Sequence, residues 1–106
     1  MISNEDREKL KNLVDAVKKI DAENDILWLE NYNQRLEILT KNLDNTIDYI
    51  NTCSEDELDY ISECFEELSE HFQSQKLIDC VKNNIARFNN PKLQAELKME
   101  LEYMKI

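Results

Sequence analysis

Cys64 and His71 are the pair of side chains in this sequence that could most readily support nucleophilic catalysis. A cysteine nucleophile needs a base within hydrogen-bond reach. Their separation along a single helix corresponds to about 10 Å, which is too far for direct proton transfer. The alternative is that Cys64 packs in the core as a small apolar side chain. We therefore expect no catalytic site and no enzymatic activity.

Metal and cofactor sites are not predicted either. His71 is the sole histidine, whereas most zinc sites with imidazole ligands use two or three. A di-iron carboxylate bundle needs Glu-x-x-His twice, and the residue three positions before His71 is Leu68. Glycine is absent, so the chain has neither a typical calcium loop nor a phosphate-binding loop.

Carboxylates dominate the charge of the chain. There are 23 Asp and Glu against 13 Lys and Arg, which gives a net charge of -10. On such a chain, a pair of carboxylates is poor evidence for acid–base catalysis. The charge repels the phosphates of nucleic acids and anionic lipids, so neither is an expected ligand. A protein with a basic surface is the natural complement.

This negative charge is concentrated in one segment. From Asn42 to Gln75 the sequence has no Lys or Arg and 10 acids. The remaining 13 acids are matched by 13 bases, so the whole net charge belongs to this third of the chain.

Within that segment, a helical wheel separates apolar from acidic positions. Leu58, Ile61 and Phe65 share one side with Leu68 and Phe72, and carboxylates occupy the other. Like charges recur at i,i+3 and i,i+4, where each pair costs about 0.2–0.5 kcal/mol. A solvated surface is one interpretation. The alternative, which we prefer, is a binding surface for a basic protein. The residues predicted to bind the partner are Asp56, Asp59, Tyr60, Glu63, Glu66, Glu67 and Glu70.

Helices must position these residues, because apolar residues recur at helical spacing along nearly all of the chain. The first helix is predicted from about Asn4 to Ile20. The second, on a stripe that includes Ile26 and Leu29, is predicted as one long helix from Asp25 to Ile50, with Asn33 as the point where it could bend or end its first section. Because the chain has no glycine, we expect Asn to take the left-handed conformation at the breaks between helices. The candidates are Asn24, Asn51, Asn89 and Asn90.

The last three helices have clearer starts. Ser54 and Glu57 form a capping box that begins the third helix, which ends at Phe72. Ser74 caps the fourth helix, whose apolar stripe ends at Phe88. Pro91 suits the first turn of a fifth helix that extends to Met104.

These patterns predict an all-α fold, in one domain over residues 1–106. About five antiparallel helices would pack as helical hairpins, either in a bundle or in a short solenoid. No apolar run is long enough to span a membrane, and the N-terminus does not resemble a signal peptide. The odd number of cysteines, with no C-x-x-C spacing, is typical of free thiols in the cytosol.

Trp28 and Tyr32 lie four residues apart, beside the main apolar stripe of the second helix. Such residues are usually the edge of a core. Exposed Trp and Tyr are, however, preferred anchors of protein interfaces. Both interpretations are open for this pair, and Tyr60 is the stronger candidate because it borders the acidic positions.

The third and fourth helices resemble a known family. The pattern consists of Ser54-Glu55-Asp56-Glu57-Leu58-Asp59-Tyr60-Ile61-Ser62, then Phe65-Glu66-Glu67-Leu68-Ser69, then Phe72-Gln73-Ser74 and Leu77-Ile78. It is similar to the helical immunity proteins that accompany bacterial polymorphic and contact-dependent inhibition toxins. The resemblance is one of helix caps and core positions over residues 54–78.

The resemblance implies a cytosolic inhibitor of a cognate toxin. Such toxins are often nucleases with basic clefts, which an acidic surface can occlude. The alternative is a helical adaptor or regulator that binds a basic protein with no toxin involved. The family has no catalytic motif that could be transferred to this chain.

Overall fold

The computed structural model describes residues 1–104, which form α-helices joined by short connections. The helices are α1 (Asn4–Val17), α2 (Asp25–Leu39), α3 (Leu43–Thr52), α4 (Glu55–Ile61), α5 (Phe65–Phe72), α6 (Gln75–Asn84) and α7 (Pro91–Tyr103). A 3-10 turn, Ser62–Cys64, joins α4 to α5. No strand occurs in these residues, so the all-α prediction is confirmed.

The predicted caps of the last three helices are confirmed. The Ser54 hydroxyl accepts a hydrogen bond from the Glu57 amide, and the Glu57 carboxylate accepts one from the Ser54 amide, which completes the capping box. Ser74 caps α6 by accepting from the Lys76 amide. Pro91 occupies the first turn of α7, where its missing N–H costs nothing.

The prediction of one long second helix is wrong. The chain leaves the helix after Leu39, and Asn42 adopts an extended conformation with φ -159°. Its side chain accepts a hydrogen bond from the Asn45 amide and so starts α3 as a new helix. Just before the break, the Thr40 hydroxyl donates to the Leu36 carbonyl. Asn33, the expected bend, lies inside α2.

Other predicted helices are shorter or divided. The first helix ends at Val17 rather than Ile20, and the fourth ends at Asn84 rather than Phe88. The third helix is interrupted by the 3-10 turn, which tightens the backbone between α4 and α5. The expectation for left-handed Asn was also wrong: within residues 1–104, Gln73 is the residue with positive φ, at 48°.

One hydrophobic core draws on all these helices. Its most buried members include Leu10 of α1, Leu39 of α2, Ile50 of α3, Phe65 of α5 and Leu97 of α7. Contacts join α1 to α4, α3 to α6, and the 3-10 turn to α7. Because these pairs are distant in the sequence, the helices do not form a stack in which each meets only its neighbours. The antiparallel hairpin arrangement stays a prediction.

The apolar stripe predicted for α2 is only partly buried. Leu39 is inaccessible to solvent, but Ile26 is 74% exposed and Leu29 is 52% exposed. Their helical spacing was read correctly, yet the first turn of α2 stays largely exposed. In the part of the chain described here, no helix combines the length and apolarity that crossing a bilayer requires.

Candidate protein-binding surface

The residues predicted to bind a partner occupy α4, the 3-10 turn and α5. The capping box fixes the start of α4, and the buried side chains of Leu58, Ile61, Phe65 and Leu68 hold this segment against the core. The opposite side therefore faces solvent. Asp56, Glu63, Glu67 and Glu70 are exposed, while Asp59, Tyr60 and Glu66 are half-buried.

Helix α7 adds a second wall to this surface, which the sequence analysis missed. Glu96, Met99 and Glu100 line a cavity of about 290 Å³ together with residues of α4 and the 3-10 turn. We call this cavity the acidic groove. The residues that line it from the α4 side are Asp59, Tyr60, Ser62 and Glu63. The signal was available, because positions 96, 99, 100 and 103 share one side of a helix, but only the apolar stripe of α7 was considered.

Carboxyl groups from α4 and α7 interact in the acidic groove. The carboxyl group of Glu96 hydrogen-bonds to Asp59, and this contact, followed by burial, raises its pKa from 4.5 to about 7. Burial is also the main reason that the pKa of Glu100 is raised, followed by the charges of Glu66 and Glu63. The groove therefore favours a bound cation or a retained proton.

Two of the predicted acids have cationic partners from distant parts of the chain. The Lys18 ammonium lies 2.7 Å from the Asp56 carboxylate, and the hydrogen bond raises the pKa of Lys18. The Arg35 guanidinium lies 3.0 Å from the Glu63 carboxylate. The repulsion expected within the acidic segment is thus partly relieved by α2 and by the residue that follows α1.

Arg35 is the most unusual residue beneath this surface, because it is fully buried. Its Nη1 donates to Glu63 and, at 2.8 Å, to the Tyr60 carbonyl. Within residues 1–104, its Nε and Nη2 have no hydrogen-bond partner. The guanidinium carbon instead lies 6.0 Å from the ring centre of Trp28 and 5.6 Å from that of Tyr32, so cation–π attraction offsets part of the desolvation.

The two aromatic residues of α2, Trp28 and Tyr32, lie beside Arg35 at the edge of the predicted binding surface. Trp28 stacks on Tyr32 with ring centres 5.1 Å apart. The Tyr32 hydroxyl lies 3.5 Å from the Glu63 carbonyl oxygen. Burial, followed by nearby groups that include Glu67, raises the pKa of the Tyr32 hydroxyl. Trp28 is 36% exposed, so it lies at the border between the core and the surface.

The Cys64 and His71 pair does not form an activated thiolate. Cys64 is fully buried, and burial raises the pKa of its thiol to about 12. His71 is exposed, with its Nε2 3.2 Å from the Thr40 carbonyl oxygen. Among residues 1–104, no three His, Cys, Asp or Glu side chains are grouped as metal ligands.

The structure therefore brings together Asp59, Tyr60 and Glu63 in one groove, with Glu66 close to Glu100. Asp56 pairs with Lys18 and lies outside the groove lining, as does Glu70. The chain matches no family model, and comparison with curated proteins and with solved structures gives no match.

Proposed function

We propose that this chain is a binding protein whose acidic groove and adjoining helix α5 receive the basic surface of a partner protein. The observation that carries the proposal is the convergence of carboxylates from α4, the 3-10 turn and α7 on one groove. Carboxylates in such a place raise the pKa of one another, which lowers the stability of the ionised chain. Lysine or arginine side chains of a partner would relieve that cost.

The partner class that the sequence resemblance favours is a bacterial toxin, which the chain would neutralise in the cytosol as an immunity protein. A nuclease is the favoured activity, since an enzyme that binds a phosphate backbone presents a basic cleft. The exposed carboxylates of α5, beside the acidic groove, have the charge needed to occlude such a cleft. A basic partner without toxicity would instead assign the chain to the adaptor or regulator class.

The proposal is tested first with the proteins encoded beside this chain. Each is produced in a bacterial host with and without the chain, and growth is measured. We expect one of them to be toxic alone and harmless in the presence of the chain. Purified complex should then form with equal stoichiometry. If no neighbouring product is toxic and none binds, the toxin inhibitor is the wrong class.

The acidic surface is tested with a triple variant, Glu66→Gln, Glu67→Gln and Glu70→Gln. Glu63 is left in place because it is the carboxylate partner of the buried Arg35. Electrostatic steering raises association rates by about 10- to 1,000-fold at low salt. The triple variant should therefore associate on the order of tenfold more slowly, with a weaker dependence on salt.

A matched control carries the same charge change elsewhere. Glu8, Glu37 and Glu102 are exposed and lie in α1, α2 and α7, outside both helix α5 and the lining of the acidic groove. Their triple substitution with Gln should slow association much less. Equal rates for the two triple variants would show that only net charge matters, and the acidic surface would lose its role as the interface.

Tyr60 is tested separately because it supplies apolar contact rather than charge. It is half-buried and lines the acidic groove. Tyr60→Ala should accelerate dissociation by about tenfold or more and leave the association rate nearly unchanged, as expected for a central anchor. Surface plasmon resonance against the partner measures both rates.

A further inference from the structure

The first turn of α2 exposes a group of large apolar side chains. Ile26 is 74% exposed, Leu27 48%, Trp28 36% and Leu29 52%. We call these four residues the α2 tip. The next turns of the same helix are well buried, as Arg35 and Leu39 show.

Packing within the chain leaves the apolar side chains of the α2 tip exposed to solvent. Consecutive helical residues point about 100° apart, so these four side chains face different directions around the helix. Ile26 and Leu29, three positions apart, nevertheless share one side of the helix, so one helix of a partner could cover both. Monomeric proteins rarely leave contiguous apolar surface exposed without a binding role.

The exposed charges around the α2 tip are acidic, and the nearby Arg35 guanidinium, 6.0 Å from the Trp28 ring, is fully buried and paired with Glu63. No Lys or Arg occurs in residues 20–34, whereas Asp21, Glu23, Asp25 and Glu30 all do. All four carboxylates are exposed, and none forms an ion pair with another residue in the part of the chain that the structure describes.

Acidic and apolar groups lie side by side at the start of α2. An open depression of about 490 Å³ at the start of α2 is lined by Asp21, Glu23 and Asp25 together with Asn24 and Ile26. A side chain that enters this depression meets carboxylates on one side and an apolar surface on the other. A lysine or arginine, which has an apolar stem and a cationic head, matches both.

We propose that the α2 tip is a docking site for a cationic amphipathic helix of the partner protein. The leucine-like residues of that helix would cover Ile26 and Leu29, and its lysines or arginines would face the carboxylates of residues 21–30. The inference rests on the proposed function, since it assigns a second part of the surface to the same basic partner. A second copy of this chain fits poorly, because two acidic tips would repel each other.

Trp28 makes the site directly observable, because it is the sole tryptophan of the chain. It belongs to the α2 tip and is partly exposed. Transfer of its indole from water to an apolar contact shifts its emission to shorter wavelength. Binding at the acidic groove, where Met99 rather than Trp28 lies in the lining, has no such direct effect.

The probe is an 18-residue synthetic peptide with leucine at helical spacing and lysine at the other positions. We expect a saturable shift of Trp28 emission to shorter wavelength. A peptide of the same composition in scrambled order should give a much weaker shift, and one with glutamate in place of lysine should give none. If the leucine–lysine peptide leaves the emission unchanged, the inference is wrong.

Variants locate the binding site. Ile26→Ala with Leu29→Ala should weaken peptide binding by about tenfold to a hundredfold, since each substitution removes apolar contact area. Tyr103→Ala is the matched control, because Tyr103 is 55% exposed, much like Leu29, and does not line the acidic groove. It should not weaken the binding that Trp28 reports. Thermal unfolding of each variant, followed by circular dichroism, should match that of the unmodified chain.

The same variants separate this inference from the proposed function. If the partner protein binds Ile26→Ala/Leu29→Ala normally but fails to bind the triple variant of Glu66, Glu67 and Glu70, the α2 tip is not part of the interface and the proposed function stands. If the peptide binds at the α2 tip but no basic protein binds the chain, the proposed function fails. Concentration-dependent sedimentation abolished by the tip variant would identify a second copy as the occupant and overturn the inference.

Discussion

Glu96→Gln is the substitution that most directly tests the electrostatics of the acidic groove. The hydrogen bond with Asp59 and burial raise the pKa of Glu96 from 4.5 to about 7. The folded chain therefore holds this proton more tightly than the unfolded chain. Between about pH 4.5 and pH 7, folding takes up a proton, and the free energy of unfolding falls as the pH rises through this window.

The magnitude follows from the size of this shift. A change in pKa from 4.5 to about 7 corresponds to about 3 kcal/mol. Solvent screening at this partly exposed groove reduces the cost of the ionised carboxylate to about 1 kcal/mol. Glutamine carries no charge and can still donate a hydrogen bond to Asp59. Glu96→Gln should therefore stabilise the chain at pH 8 by about 1 kcal/mol, which raises the melting temperature by about 4–8 °C.

The assay is urea unfolding followed by circular dichroism at pH 8 and at pH 5. The stabilisation should shrink at pH 5, where Glu96 of the folded chain is protonated. Glu102→Gln is the control: it is an exposed position of the same helix, so its effect should stay within about 0.5 kcal/mol at both pH values. A stabilisation that is absent at pH 8, or equal at both pH values, would refute the shared proton.

Three further results are expected from the structure. Arg35→Ala should lower the free energy of unfolding by about 3–5 kcal/mol, because it opens a cavity and removes the partner of a carboxylate, whereas Arg35→Met should cost less; urea titration measures both. Asn42→Ala should cost about 1 kcal/mol and Asn42→Gly only a few tenths, if this residue starts α3. The three cysteines are buried, and their pKa values are raised to about 11 or 12. They should therefore react with a thiol reagent at pH 8 only after denaturation, and all three should then titrate as free thiols. Rapid labelling of the native chain would contradict this. The residues concerned are Cys53, Cys64 and Cys80.

Local signals in the sequence predicted the helix starts well. The hydroxyl of Ser54, the hydroxyl of Ser74 and the ring of Pro91 act within one turn of their own position, so neighbouring residues suffice to recognise them. The break at Asn42 was hidden because the apolar spacing continues in phase from Leu39 to Leu43. An uninterrupted pattern is compatible both with one helix and with two that share the same core.

The acidic positions of α4 and α5 were visible in the sequence, but their partners were not. Lys18 and Asp56 are 38 residues apart, and Arg35 and Glu63 are 28 residues apart. Only tertiary packing brings such pairs together. The same holds for the second wall of the groove, since Glu96 meets Asp59 only after α7 has docked against the 3-10 turn.

Exposure of the α2 tip was unpredictable for a related reason. Helical spacing tells which residues share a side, but not how far the neighbouring helix extends. Ile26 and Leu29 belong to a stripe whose later member Leu39 is buried, but they are themselves 74% and 52% exposed. The structure therefore changes their interpretation from core residues to surface residues.

The absence of glycine, together with the left-handed Gln73, has a consequence for the unfolded chain. Glycine contributes the largest backbone freedom before folding, and a chain without it loses less conformational entropy when it folds. This smaller loss of entropy offsets part of the repulsion between the carboxylates of the acidic groove. Among the described residues, Gln73 adopts the left-handed conformation that glycine would adopt without strain, with φ at 48°. For a residue with a Cβ atom this conformation costs about 1 kcal/mol.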